Sequence, residues 1–328
     1  MATQVRSSEI RPTLDAIQAA RRFLTRHFAA TRLVEAEVVS KAAGKRVHLK
    51  LETELPTASF KVRGAMWALS ERMRTAPVGE VVASSTGNHG AAVAYAAQKL
   101  GAKATIFLPE NCNPVKRARI AGLGAAIVEK GSADLAAAWK GAEAHAQKTG
   151  AYFLNDATDP VLPAGPAVIG SEILEQLPEV QAVYVPMGDT ALIRGVAAAI
   201  KRENPAVRIV GVQAETAPSY FLSWKSGVTT TTETCDTIAD GLATRTPDAD
   251  NVRAIRELVD EVVLVDDEEM LRAIGFLLME EHIVAEPAGA AATAALLQKK
   301  HQASENSVAL VTGANVPREI LQGALRFG

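Results

Sequence analysis

Val81-Val82-Ala83-Ser84-Ser85-Thr86-Gly87-Asn88-His89-Gly90 is the stretch on which the reading of this chain turns. Its β-branched opening predicts a buried strand, and the alanine-rich run from Gly90 to Leu100 predicts a helix. Between them lies a polar turn with one glycine at Gly87 and hydroxyls at Ser85 and Thr86. The first N–H groups of a helix have no partner inside it, so a strand, a polar glycine turn and a helix together make an anion site. The same residues also describe a well-capped helix, and the turn has to be weighed with the rest of the chain.

Outward from this stretch the same unit recurs. Val47–Leu51, Ala104–Leu108, Ala125–Val128, Val183–Val185, Ile209–Val212, Val262–Val265 and Val308–Val311 read as strands. Helical patterns fill the gaps at Pro114–Leu123, Ala133–Lys148, Gly165–Leu177 and Ala191–Glu203. This alternation predicts an α/β architecture of mostly parallel sheets flanked by helices, with ligands at the carboxyl ends of the strands. A length of 328 residues suits one large or two modest lobes, and lobe crossings are expected near Arg74–Glu80 and Thr149–Ala151. Thirty-five basic against 37 acidic residues give no electrostatic reason for a nucleic-acid or membrane partner. The two cysteines, Cys112 and Cys235, lie far apart without metal-ligand spacing, which suits a reducing compartment. With no secretory leader pattern and no apolar run of about 20 residues, a soluble cytoplasmic protein is expected.

The sharpest chemistry lies in Lys50-Leu-Glu52-Thr-Glu-Leu-Pro56-Thr57-Ala58-Ser59-Phe60-Lys61-Val-Arg63-Gly64-Ala65. A strand ends, a polar turn follows, and a lysine opens the next helix. Two surface cations on a helix would explain Lys61 and Arg63 equally simply. The positive end of the helix dipole, however, disfavours a charged amine at Lys61, and a neutral amine is what imine formation and proton abstraction need.

This segment resembles the Schiff-base lysine motif of fold-type II pyridoxal-phosphate (PLP) enzymes, the group of threonine dehydratases, serine racemases and cysteine synthases. Ser59, Phe60, Lys61, Arg63 and Gly64 match that motif, while Ala58 stands where the family has glycine. The turn of Val81–Gly90 is similar to the family's carboxylate loop. By that resemblance Ser85, Thr86, Gly87, Asn88 and His89 face the substrate, and Asn88 also lies beside the cofactor. Val185-Pro-Met-Gly188-Asp189-Thr190-Ala191-Leu192 occupies the place of the family's tetraglycine phosphate cup. Only Gly188 of the four glycines remains, and Asp189 adds a carboxylate that would repel a phosphate unless it points outward. Thr312, in Leu310-Val311-Thr312-Gly313-Ala314-Asn315, matches the hydroxyl residue facing the pyridine nitrogen. A neutral hydroxyl does not hold that nitrogen protonated, which favours prompt β-elimination. Asp240-Gly241-Leu242-Ala243 and Glu286-Pro287 resemble two further dehydratase loops, and Asp240, Gly241 and Glu286 are expected at the substrate.

The resemblance implies a two-lobed fold, with residues 1–76 and 153–328 forming a large PLP-binding domain and 77–152 a small mobile one. The implied reaction is that of a PLP-dependent ammonia-lyase acting on a β-hydroxy-α-amino acid such as L-threonine or L-serine, with Lys61 taking the α-proton. A racemase would need a second acid near Thr86, and a synthase would add a nucleophile. Dehydratases usually carry histidine–proline where this chain has Asn155-Asp156, and Gln-Gly-Thr where it has Pro166-Ala167-Val168. Another substrate, such as hydroxyaspartate, phenylserine or an intermediate of hydroxyectoine catabolism, therefore stays open. A Rossmann dehydrogenase is disfavoured by the lack of G-x-G-x-x-G, and a non-catalytic binding protein by Lys61, Asn88 and Thr312 together. A homodimer is expected. The chain ends at Gly328, soon after the Thr312 motif, from which no isoleucine-binding regulatory domain is expected. Nor is a metal: Gln213 and Ser219 stand where serine racemases carry acidic ligands, Glu215 is the only carboxylate left in this loop, and activity is expected to be insensitive to EDTA.

Overall fold

The structure is a computed structural model that describes residues 11–85, 87–110, 112, 114–129, 135–298 and 304–327. Its strands, in chain order, are β1 (Leu33–Glu35), β2 (Arg46–Leu51), β3 (Glu80–Ser84), β4 (Lys103–Leu108), β5 (Ala126–Glu129), β6 (Tyr152–Phe153), β7 (Ala182–Pro186), β8 (Arg208–Ala214), β9 (Glu261–Val265) and β10 (Asn306–Val311). They form two sheets. The larger has the order β1-β2-β10-β7-β8-β9 and the smaller β5-β4-β3-β6. All neighbours pair in parallel except β1, which lies antiparallel on β2. Parallel strands need crossovers, and helices supply them on both faces, so the central strands are buried on both sides. β7 is buried at every residue, from Ala182 to Pro186. Truncating a core residue such as Leu310, which is fully buried, costs about 2–5 kcal/mol.

Each of the expected strands is present, and β1 and β6 are additions. Both are too short, at three and two residues, to carry a readable period. Residues 133 and 134, expected to open the helix that the structure describes as Leu135–Thr149, lie outside the described residues.

The strand order sets up the site. β10 pairs with β2 on one side and β7 on the other, so the carboxyl ends of three adjacent parallel strands open in the same direction. The loop to Lys61 leaves β2, Thr312 follows β10, and the Gly188 turn leaves β7. Ser85 follows β3 of the smaller sheet, and Gly87 is the N-cap of the helix Asn88–Leu100.

One buried ionic network anchors the helix that begins at Lys61. In β2, Val47, Leu49 and Leu51 fill one face, while Lys50, fully buried, points to the other. There Lys50 Nζ lies 2.7 Å from Glu172 Oε2. Arg63, 1% exposed, donates to Glu52 at 2.8 and 2.9 Å and to Glu172 at 2.7 and 2.9 Å. Two cations thus face two carboxylates, and a buried guanidinium finds the paired oxygens it requires. Arg63 is no surface cation.

Candidate active site

Lys61 is the first residue of the helix Lys61–Thr75, and the loop before it is pinned to the end of β10. Phe60 N donates to Thr312 O at 3.0 Å and Ala314 N to Ala58 O at 2.9 Å, around a bridge between Ser59 and Gly313. These bonds bring two segments some 250 positions apart in the chain into one wall. Ala58 sits at φ +49°, the left-handed region that favours glycine. The chain keeps the backbone that a glycine would have eased.

Two adjoining cavities open around the Lys61 side chain. The larger has a volume of about 630 Å³, and Ser85, Gly87, Asn88, His89, Asp240, Gly241 and Glu286 all line it. The smaller, about 50 Å³, is lined by Phe60, Asn88, Gly188, Asp189, Thr190, Ala191, Leu192 and Thr312. Lys61 lines both. The residues expected from the sequence are therefore brought together, apart from Thr86, which lies outside the described residues.

The turn after β7 is built for an anion. Thr190 is the N-cap of the helix Ala191–Glu203, but its φ is +68° and no side chain caps the helix end. First-turn N–H groups therefore face the smaller cavity. A Cβ on Gly188 would lie 2.1 Å from Gly241 O, so only glycine allows the two loops to approach this closely. Asp189 does not turn away from the site. It lines both cavities, and Oδ1 accepts from Thr244 Oγ1 at 3.0 Å. Burial, then the nearby Asp156 charge, raises its pKa and thereby weakens the repulsion a phosphate would meet.

The expected neutral amine at Lys61 is overturned. Burial by itself would lower its pKa, but the charge of Asp156 and a hydrogen bond to Asp156 Oδ2, with Asp189 and Glu286 beyond, leave it raised. The helix dipole is the weaker influence beside a carboxylate in contact. Burial pushes Asp156 upward, yet His89 and Lys61 hold it well below the usual carboxylate range. In the sequence Asp156 stands out only as a departure from the family pattern. Its signal was a carboxylate next to the loop that shapes the pocket, and its partner, 95 residues away, was not legible.

The other groups are tied to one another. Asn88 Nδ2 donates to Glu286 Oε1 at 2.6 Å, and Asn315 Nδ2 donates to Asn88 Oδ1 at 2.6 Å. Burial raises the Glu286 pKa to about 6, with the Asn88 bond opposing. His89, 4% exposed, bonds Leu154 O through Nε2 at 2.9 Å. Lys116 from the smaller sheet's side pairs with Asp240 across the larger cavity. Gln213 Oε1 accepts from Phe221 N, and Ser219 Oγ donates to Thr244 O. Among the described residues no three His, Cys, Asp or Glu gather as metal ligands, and no helix is long and apolar enough to cross a membrane.

These residues fit pyridoxal phosphate. An amine faces the cavity, an uncapped helix end suits a phosphate, and Thr312 lines the same smaller space.

Comparison with known proteins agrees. The profile of the family described as pyridoxal-phosphate dependent enzyme matches residues 24–313. An L-threonine ammonia-lyase of Thermotoga maritima is 38% identical over 265 residues, covering 81% of this chain and 66% of that protein. For an L-threonine ammonia-lyase of Geobacter sulfurreducens the identity is 37%, over 74% and 60%. The chain thus spans less than two thirds of the length of these two relatives. A catabolic L-threonine dehydratase of Staphylococcus aureus is 33% identical, over 91% of this chain and 87% of that one. Among solved structures, maize serine racemase superposes with a TM-score of 0.90 at 28% identity, covering 96% and 97% of the two chains. Threonine deaminase isoform 2 from Solanum lycopersicum gives 0.87 at 29%, covering 97% and 90%. A family match of that extent, over a chain whose Lys61 faces the cavity such a cofactor requires, makes this protein a member of the pyridoxal-phosphate dependent enzymes.

Proposed function

We propose that this chain is an ammonia-lyase that converts a β-hydroxy-α-amino acid into a 2-oxo acid and ammonia, water being lost from Cβ and regained on hydrolysis. The observation that carries the reading is the Lys61 amine in the wall shared by the two cavities, one ending at an uncapped helix N-terminus and the other bordered by the Ser85–His89 turn. The relatives named as threonine ammonia-lyases and dehydratases support it.

Bound pyridoxal phosphate supplies a carbonyl carbon for an amine and a ring that accepts electrons from the substrate Cα. Phe60, Lys61, Asn88, Thr312 and the turn Gly188–Leu192 would hold it. The first turn of the helix Asn88–Leu100, with Ser85, Thr86 and Gly87 before it, binds the substrate carboxylate. Lys61 Nζ, in its neutral form, takes the proton from Cα. Glu286 orients Asn88, while Asp240 and Gly241 border the substrate from the opposite side. The division into residues 1–76 and 153–328 against 77–152, with the smaller part mobile, lets the cavity open and close around the amino acid. We extend the reading to a cytoplasmic homodimer, the commonest symmetric assembly; sedimentation as a clean monomer would count against that assembly.

The test is borohydride trapping followed by peptide mass analysis, with ammonia and 2-oxo acid release measured in parallel. Wild type should carry the label on Lys61 and turn over. Lys61→Ala should lose both while keeping its far-UV spectrum. Full turnover by that variant would sink the proposal.

A further inference from the structure

The larger cavity is more acidic than an uncharged hydroxy amino acid requires. Its lining includes Asp156, Asp189, Asp240 and Glu286 against Lys61, Lys116 and Arg119. Lys116 pairs with Asp240, and Arg119 donates to the carbonyl of Thr57. Glu286 is bonded by Asn88, and Asp189 by Thr244. Asp156 is different, because its charged partner is the Lys61 amine, the nitrogen that the proposed reaction engages. Asp156 is partly buried, and a counter-charge stabilises a carboxylate so placed.

His89 points to the same spot. It is 4% exposed, and with Nε2 bonded to a carbonyl, Nε2 is the donor. Nδ1 of the neutral ring is then an acceptor. That atom has no hydrogen-bond partner among the described residues. It lies 3.8 Å from Asp156 Oδ2, too far for a bond between them. Two acceptors so spaced leave room for one nitrogen donor at about 2.8–3.0 Å from each. The Lys61 ammonium on Asp156 shows that a cation is accepted here.

We propose that Asp156 and His89 form the side-chain subsite of the substrate, and that the substrate carries, besides its β-hydroxyl, a second amine in cationic form. The inference rests on the lyase reading given above. The substrate's α-amine and carboxylate are engaged by the cofactor and by the Ser85–His89 turn, so the group that meets Asp156 is the far end of its side chain. The side chains of threonine and serine offer no cation to Asp156 and His89 Nδ1.

Binding to the holoprotein tests this without turnover, read as the change in cofactor absorbance on titration. The probes are L-2,4-diaminobutyrate and L-2-aminobutyrate, which differ by the distal amine and carry no β-hydroxyl. The diamino probe should bind about tenfold more tightly or better, as expected of a charge-assisted hydrogen bond. In Asp156→Asn the preference should collapse to about twofold or less. Equal binding by wild type, or preference for 2-aminobutyrate, overturns the inference. So does an Asp156→Asn variant that weakens both probes alike, because Asp156 would then act on Lys61 alone. The wild-type ratio decides by itself if the variant does not fold. A purified protein with no cofactor band would overturn the lyase reading itself, whereas a band that answers both probes equally overturns only this subsite.

Discussion

Replacing Glu172 by glutamine isolates the device that holds the Lys61 helix. The carboxylate accepts from Arg63 twice, at 2.7 and 2.9 Å, and from Lys50 Nζ at 2.7 Å, and it is 5% exposed. The amide keeps one acceptor oxygen and turns an NH₂ group toward two cations. Glu52 is then the sole carboxylate against Arg63 and Lys50, both nearly excluded from water. Removing one member of such a buried network costs about 3–5 kcal/mol, mostly from the charge left unbalanced. Burial already lowers the Lys50 pKa, with Glu172 opposing. Without Glu172 it falls further, and a base whose folded pKa is depressed loses stability as pH drops through that value. The deficit should therefore grow on acidification. Equilibrium urea unfolding followed by circular dichroism measures it, and adding Lys50→Met to the Glu172→Gln background should recover about 2 kcal/mol. A loss under about 1 kcal/mol, or no recovery in the double variant, would refute the charge-balance argument.

Three further outcomes follow from single positions. Gly188→Ala drives a methyl to 2.1 Å from Gly241 O and should weaken cofactor binding about tenfold or more, read by absorbance titration of the apoprotein; unchanged affinity would move the phosphate elsewhere. Ala58→Gly relieves a residue at φ +49° and should stabilise the protein by about 1 kcal/mol in the same urea assay, whereas destabilisation would show that the Ala58 methyl contributes packing that matters more. Glu286, with its pKa raised to about 6, contributes stability in its protonated form that is lost as pH rises through that value. Glu286→Gln should remove this step from the stability-versus-pH curve, and a variant curve identical to wild type would show that Glu286 does not titrate there.

What the sequence alone determined was local. Strands such as Val81–Ser84 and Val308–Val311 announce themselves because an apolar β-branched run between polar turns has few alternatives. The turns that follow them are read with them, since glycine and hydroxyl residues before a helix have a backbone reason to be there. Even the departures were informative. Ala58 and Thr190, both standing where glycine was expected, do occupy left-handed backbone, at φ +49° and +68°. The backbone geometry persists without the residue that favours it.

The tertiary structure decided what depends on distance through space. β10 inserts between β2 and β7, and only that order makes Lys61, Gly188 and Thr312 walls of one space. Arg63 reads as a surface cation on its helix until Glu172, 109 residues on, is folded against it. The Lys61 amine looked neutral from its place at a helix start, because a dipole is local and visible in the sequence. The carboxylate that outweighs it comes from Asp156, across the cavity, and a contact charge in a low-dielectric site dominates a partial charge at a helix end.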